Sequence, residues 1–145
     1  VATSSIPAVK QALVDLLAAR ANLRNVQVTY GAPLPAPAKE YIWVGDVTGE
    51  QTAGALGGQV RDEEYTVQVN MSVVREGNNQ RAADTRCFQL LAELEDLLRS
   101  NPSLGVAAVL KGGEAELGEF NLEEFVSDTA RESRLTAQVA VNARI

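Results

Sequence analysis

The 145 residues are 46% hydrophobic and 22% charged, the balance of an ordinary globular chain, and a single domain of this length buries roughly 70% of the surface its unfolded chain exposes. Nineteen acidic and 13 basic residues leave a formal charge of −6, which argues against wrapping nucleic acid, because phosphate binding needs massed Lys and Arg. One cysteine, Cys87, and no histidine exclude an internal disulfide, Ser-His-Asp and Cys-His catalysis and the usual zinc arrangements.

The first stretch, VATSSIPAVK, has no basic segment leading into a long apolar run, and nothing in the chain approaches the ~18 apolar residues of a membrane span. The chain is therefore expected to be neither exported by that route nor membrane-spanning, and a reducing compartment is its expected setting. Ser4 or Ser5 is a candidate N-cap with Pro7 in the first turn, and Ile6, Val9, Leu13, Leu16 and Leu17 follow one helical face to an end near Asn22. Val26, Val28 and Tyr30 alternate with Gln27 and Thr29 as a strand. The following GAPLPAPAKE is too rich in proline to join a ladder and reads as an extended surface connection.

Tyr41 to Val47 (YIWVGDV) has apolar residues on both parities, which suits a strand covered on both sides or lying at a subunit contact. The glycine-rich GALGG precedes a long strict alternation. There Tyr65, Val67, Val69, Met71 and Val73 face one way, and Thr66, Gln68, Asn70 and Ser72 the other. After Gly77, Asn78 and Asn79 a second helix carries Cys87, Leu90, Leu91, Leu94, Leu97 and Leu98 on one stripe and stops at Pro102. Val106 to Leu110, Phe120 to Val126 and Leu135 to Ile145 read as strands, with Gly112 and Gly113 turning a hairpin in LKGGEAEL. Two amphipathic helices and about six strands predict one α+β domain over residues 1–145, with a largely antiparallel (mixed) sheet and both helices packed on one face.

The search for chemistry returns little. Cys87 lies on the apolar stripe of its helix, where a free cysteine behaves as a small core residue. GALGGQ lacks the Lys-Ser or Lys-Thr of a phosphate loop and is not GxGxxG opening a helix. The clusters Asp62-Glu63-Glu64, Glu93-Glu95-Asp96 and Glu119-Glu123-Glu124 lack calcium-loop spacing. Strand alternation also sends Glu63 and Glu64 to opposite faces, so these acids read as solvated or intersubunit charge. No catalytic, cofactor-binding or metal-binding residue is predicted, no cofactor is implied, and the chain is not expected to be an enzyme.

The order of elements, together with "ALGGQVRDEEYTV", "LLAELEDLLRSNPSLG" and the terminal "RLTAQVAVNARI", resembles the tail terminator (tail completion) proteins of long-tailed phages, especially those infecting actinobacteria. The resemblance spans nearly the whole chain and rests on patterns of fold and assembly. It implies a virion structural protein, assembled in the host cytoplasm, that forms a hexameric ring on the last ring of the tail tube. That ring would end tube growth and offer a surface to the head connector, and DNA would pass its lumen without specific binding. The partners implied are further copies of this chain, the tail tube protein and the connector protein, with no membrane. A different head–tail joining or tail-tube protein, or a small-molecule-binding α+β domain, are the alternatives.

Within that reading the strand Tyr41 to Val47, with Tyr41 and Trp43, is expected to contribute to subunit contacts. Six copies at −6 each carry −36, so association of free chains is opposed by repulsion and eased by salt, and the free protein is expected to be monomeric. Gly49 to Gln59 is expected to be a flexible arm that orders on assembly and docks Leu56 on a neighbour or the tube, with Arg61, Asp62 and Glu63 orienting its root by charge pairing. A passive connection between strands is the simpler reading of the same segment.

Overall fold

A computed structural model describes residues 4–33, 38–53, 60–109 and 115–145. Helix α1 (Ile6–Ala18) holds Pro7 in its first turn, where a missing N–H removes no intrahelical bond. Val9, Leu13 and Leu17 recur every four residues and are wholly buried, so one stripe of the helix makes the core. The helix ends earlier than Asn22, and a single 3-10 turn (Ala21–Leu23) tucks Leu23 into the core before the first strand.

Strand β1 (Gln27–Tyr30) runs parallel to β2 (Glu40–Ala53). The latter pairs antiparallel with β3 (Arg61–Glu76), which pairs antiparallel with β5 (Ala130–Arg144). Strand β4 (Glu116–Val126) closes the order β1-β2-β3-β5-β4 as an edge. The result is an α+β fold on a mixed sheet with five strands, not six, among the described residues. The residues expected to supply the sixth, Val106 to Leu110, form local turns as far as they are described. Leu104, Val106 and Val109 each donate a backbone bond three residues back, and Val109 makes only a single bridge to Ala143. Burial of Leu104 and Val109 explains the apolar pattern; it served packing, and the hydrogen bonds went elsewhere. The proposed Gly112-Gly113 turn lies outside the described residues.

The alternation in β3 holds. Tyr65, Val67, Val69, Met71 and Val73 are buried, and they join Leu135, Ala137, Val139, Val141 and Ala143 of β5 in one core. Helix α2 (Gln80–Ser100) starts at Asn79, whose Oδ1 accepts the Ala82 N–H at 3.0 Å. It adds Cys87, Leu90, Leu91, Leu94, Leu97 and Leu98 to the same core. α1 lies against β1 and β2, α2 against β3, β5 and β4, and the two helices touch.

The mixed parity of Tyr41 to Val47 has a local cause. Between the pairs Val44–Val69 and Val47–Val67, β2 has one residue more than β3, a bulge at Gly45 and Asp46. Ile42 and Val44 therefore reach the core before the bulge and Val47 reaches it after, while Tyr41 and Trp43 point to the opposite face.

The expected arm is also corrected at its base. Gly49 to Ala53 is strand, in register with Tyr65 to Arg61. A Cβ on Gly49 would lie 2.3 Å from the Tyr65 Cβ and 2.4 Å from the Glu64 carbonyl oxygen, so this glycine permits a close strand approach and is no hinge. Residues 54–59, with Leu56, lie outside the described residues.

Candidate functional site

Two side-chain rows cross all five strands on the polar face of the sheet. Gln27, Tyr41, Ser72, Arg134 and Glu123 stand in one register, and Thr29, Trp43, Asn70, Thr136 and Asn121 in the next. The Tyr41 and Trp43 rings stack at 5.2 Å and 22°. Two residues apart on one strand, they share a face, and Tyr41 is 9% exposed. Arg134 lies 4.4 Å over the Phe125 ring and donates to Glu132 at 2.6 Å, and Ser72 donates to the same Glu132 oxygen at 2.7 Å. Burial pushes the Glu132 carboxyl up, but these two donors outweigh it and hold the group below the ordinary carboxylate range. Further along, Asp46, Thr48, Thr66, Gln68 and Gln138 line a depression of about 410 Å³. Its described lining side chains are all polar and carry one negative charge, so hydrogen bonding is the main recognition it offers.

The predicted cluster at Arg61, Asp62 and Glu63 is divided by the structure. Glu63 is 1% exposed, which corrects its reading as solvated or intersubunit charge. Its Oε1 accepts from the Ser5 backbone N–H at 2.7 Å and the Ser5 hydroxyl at 2.6 Å, and its Oε2 accepts from Ser4 Oγ at 2.6 Å and Gln51 Nε2 at 2.7 Å. With its single hydroxyl proton given to Glu63, Ser5 takes the Tyr65 hydroxyl as donor at 2.8 Å. Burial raises the Glu63 carboxyl, and the donors from Ser4, Ser5 and Gln51 outweigh that and lower it. Burial, with the Glu63 charge added, pushes the Tyr65 phenol up to about 12. Glu63 thus pins the start of α1 to β3 and β2, and it presents no surface to a neighbour. Ser5 stands at the N-cap position, yet its side chain makes no cap bond, because it is committed to Glu63.

Asp62 points to the other face and receives Arg144 Nε at 2.7 Å and Nη2 at 3.1 Å. That hydrogen-bonded guanidinium holds the Asp62 carboxyl low. Arg61 is exposed and exchanges both backbone bonds with Ile145. The sequence-predicted interface residues therefore fall into two places: Tyr41 and Trp43 on the polar face at one end of β2, and Arg61 to Glu63 at the other end of the sheet.

Cys87 is fully buried and its thiol is pushed up to about 12, by burial first and then by the charge of Asp84, which leaves it a poor nucleophile. Asp84 accepts from Ser133 Oγ and from Gln80 Nε2 and faces Glu124. The hydrogen bond and then the charge of the neighbouring Asp84 raise the Glu124 carboxyl, while Asp84 itself is lowered. Among the described residues no three His, Cys, Asp or Glu side chains gather as a metal site, and no helix is long and apolar enough to cross a membrane.

Two features escaped the sequence. One is the Ser4–Ser5–Glu63 node, whose partners lie nearly sixty residues apart. The other is the edge-to-face pair Phe88–Phe120, with ring centres 5.9 Å apart and the rings 40% and 54% exposed; Phe88 lies just outside the leucine stripe, the one signal that marked it.

No family model matches the sequence. No curated protein matches it. Among solved structures, a protein whose name describes no function is 21% identical, and the alignment covers 97% of this chain and 96% of that one with a TM-score of 0.49.

Proposed function

We propose that six copies of this chain form a ring at the head-proximal end of the tail tube of a long-tailed phage, where the ring stops tube polymerisation and presents a surface to the head connector. In this reading both helices cover one face of the sheet and the other face is left for neighbours. The observation that supports it best is the polar face itself. Two rows of mostly polar side chains cross five strands, with a stacked Tyr41–Trp43 pair among them, the kind of rigid aromatic anchor that protein interfaces favour. The motif resemblance supplies the identity of the assembly. The role is structural, needs no catalytic group and leaves Cys87 as packing.

The test has two arms. Labelled protein on purified tails should appear at the head-proximal end as a sixfold ring; label along the whole tube would assign the chain to the tube instead. Trp43→Asp, folded by circular dichroism, should cap far fewer tubes than the wild type, and wild-type capping by that variant would count against the polar face as the contact.

A further inference from the structure

Charge is distributed unevenly over this acidic chain. Strand β4 carries Glu116, Glu119, Glu123 and Glu124 in eleven residues without one basic side chain. It is an edge strand, so one row of its backbone N–H and C=O groups has no ladder partner among the described residues. Phe120 and Val126 on it are 54% and 67% exposed. Glu123 stands across from Arg134 of β5, and Glu124 faces Asp84 with Arg131 nearby, so Glu116 and Glu119 are the two acids of the edge with no charged partner among the described residues.

The opposite sign collects across α2. Arg75, Arg81 and Arg86, with Ala82, Thr85 and Gln89, line a shallow depression of about 410 Å³ whose wall contains no carboxylate. Glu40 pairs with both Arg75 and Arg86, which leaves three guanidinium groups against one carboxylate. Arg81 is exposed and forms no ion pair among the described residues. On the −6 background of the chain this is a local excess of positive charge.

Arg86 and the β4 edge lie on different flanks of α2, and no ion pair joins the two regions among the described residues. Arg86 reaches back to Glu40 of β2 and the Asn22 carbonyl oxygen, whereas Phe88 reaches forward to Phe120 of β4. A contact between two different patches is heterologous, and repeated from copy to copy it generates a ring or an open helix.

We infer that the acidic β4 edge of one copy of this chain docks on the Arg75–Arg81–Arg86 depression of the next. The contact rests on the ring reading above for its closure at six copies and for nothing else. Glutamates on an exposed edge also deter unwanted strand pairing; a matching basic surface on the same chain turns that deterrent into a choice of partner. Net repulsion between acidic copies acts at long range and is largely screened beyond about 8 Å at physiological ionic strength, whereas pairs in contact keep their attraction.

Cysteine pairing tests the contact without tails, because a cross-linker traps even the brief encounters of a free protein that is expected to be monomeric at equilibrium. Thr85→Cys and Asn121→Cys put thiols at exposed uncharged positions beside the two patches, and buried Cys87 gives no background. With a short bis-maleimide at physiological salt, a mixture of the two variants should give cross-linked dimer, and either variant alone should give little. Arg81→Glu added to the Thr85→Cys variant should lower the yield roughly tenfold, and Glu119→Arg added to its Asn121→Cys partner should restore it. Equal cross-linking by Asn121→Cys alone would make the contact edge to edge, and a mixture no better than the single variants would remove it; either result overturns the inference. The variant carrying both cysteines should give a ladder. A ladder ending at six supports both readings, and one ending elsewhere keeps the contact and counts against the sixfold ring.

Discussion

Ser5 meets Glu63 twice through one carboxylate oxygen, by its backbone N–H at 2.7 Å and its hydroxyl at 2.6 Å, and so ties the first residue before α1 to the third residue of β3. A carboxylate in this position accepts at a helix start, where free N–H groups and the positive end of the helix dipole favour negative charge. The node carries structural weight because Ser5 and Glu63 at its centre are buried and a buried polar group left without a partner is costly.

Glu63→Ala should therefore destabilise the fold by about 3 kcal/mol, since it strands the buried Ser5 N–H and hydroxyl and removes the acceptor of Ser4 and Gln51. Glu63→Gln keeps the shape and should cost less, about 1–2 kcal/mol, because the amide accepts through only one oxygen. Urea denaturation followed by circular dichroism would check both. A loss below about 0.5 kcal/mol for the alanine variant, the range of ordinary surface substitutions, would show that the node is dispensable.

The same carboxyl sets a pH dependence. Glu63 holds its proton less readily folded than unfolded, its value lying below the ordinary 4.5. Its contribution is then fully present above about pH 4.5, where both states are ionised, and it is lost as pH falls through the lower, folded value. Glu40, Glu93 and Glu132 are shifted in the same direction. Acid titration of stability should show the wild type losing stability below that point, with a shallower loss for Glu63→Gln. Parallel curves for the two proteins would rule Glu63 out as a contributor.

Gly49 stands opposite Tyr65 with no room for a methyl group. Gly49→Ala should cost roughly 1–3 kcal/mol, the range of an overpacked site, and thermal unfolding would read it as a lower midpoint. A neutral result would mean that β2 and β3 separate easily at this point.

Cys87→Ala should lower stability by on the order of 1 kcal/mol, for the loss of one buried sulfur, and leave tail completion intact. The thiol, buried and raised to about 12, should react with a thiol reagent in native protein only at the rate of unfolding. Fast labelling of folded protein would contradict its place in the core.

The sequence by itself determined the elements whose side chains repeat with a strong period. The four-residue spacing of Val9, Leu13 and Leu17, the leucine stripe of α2, and the alternation of β3 and of β5 from Leu135 onward all survive in the fold. Periodicity records which side of a local element faces the core, and that is a property of neighbouring residues. Tertiary structure decided what depends on distant partners. Val106 to Val109 are as apolar as a strand, yet they form turns, with Val109 buried and Val106 and Ala108 half-buried, because β5 already has β3 and β4 as neighbours along most of its length. Gly49 reads as part of a loose arm until Tyr65 is set against it. Glu63, one of three consecutive acids, turned inward because Ser4, Ser5 and Gln51 converge on it from two other elements, and no local pattern encodes a set of donors that only folding brings together.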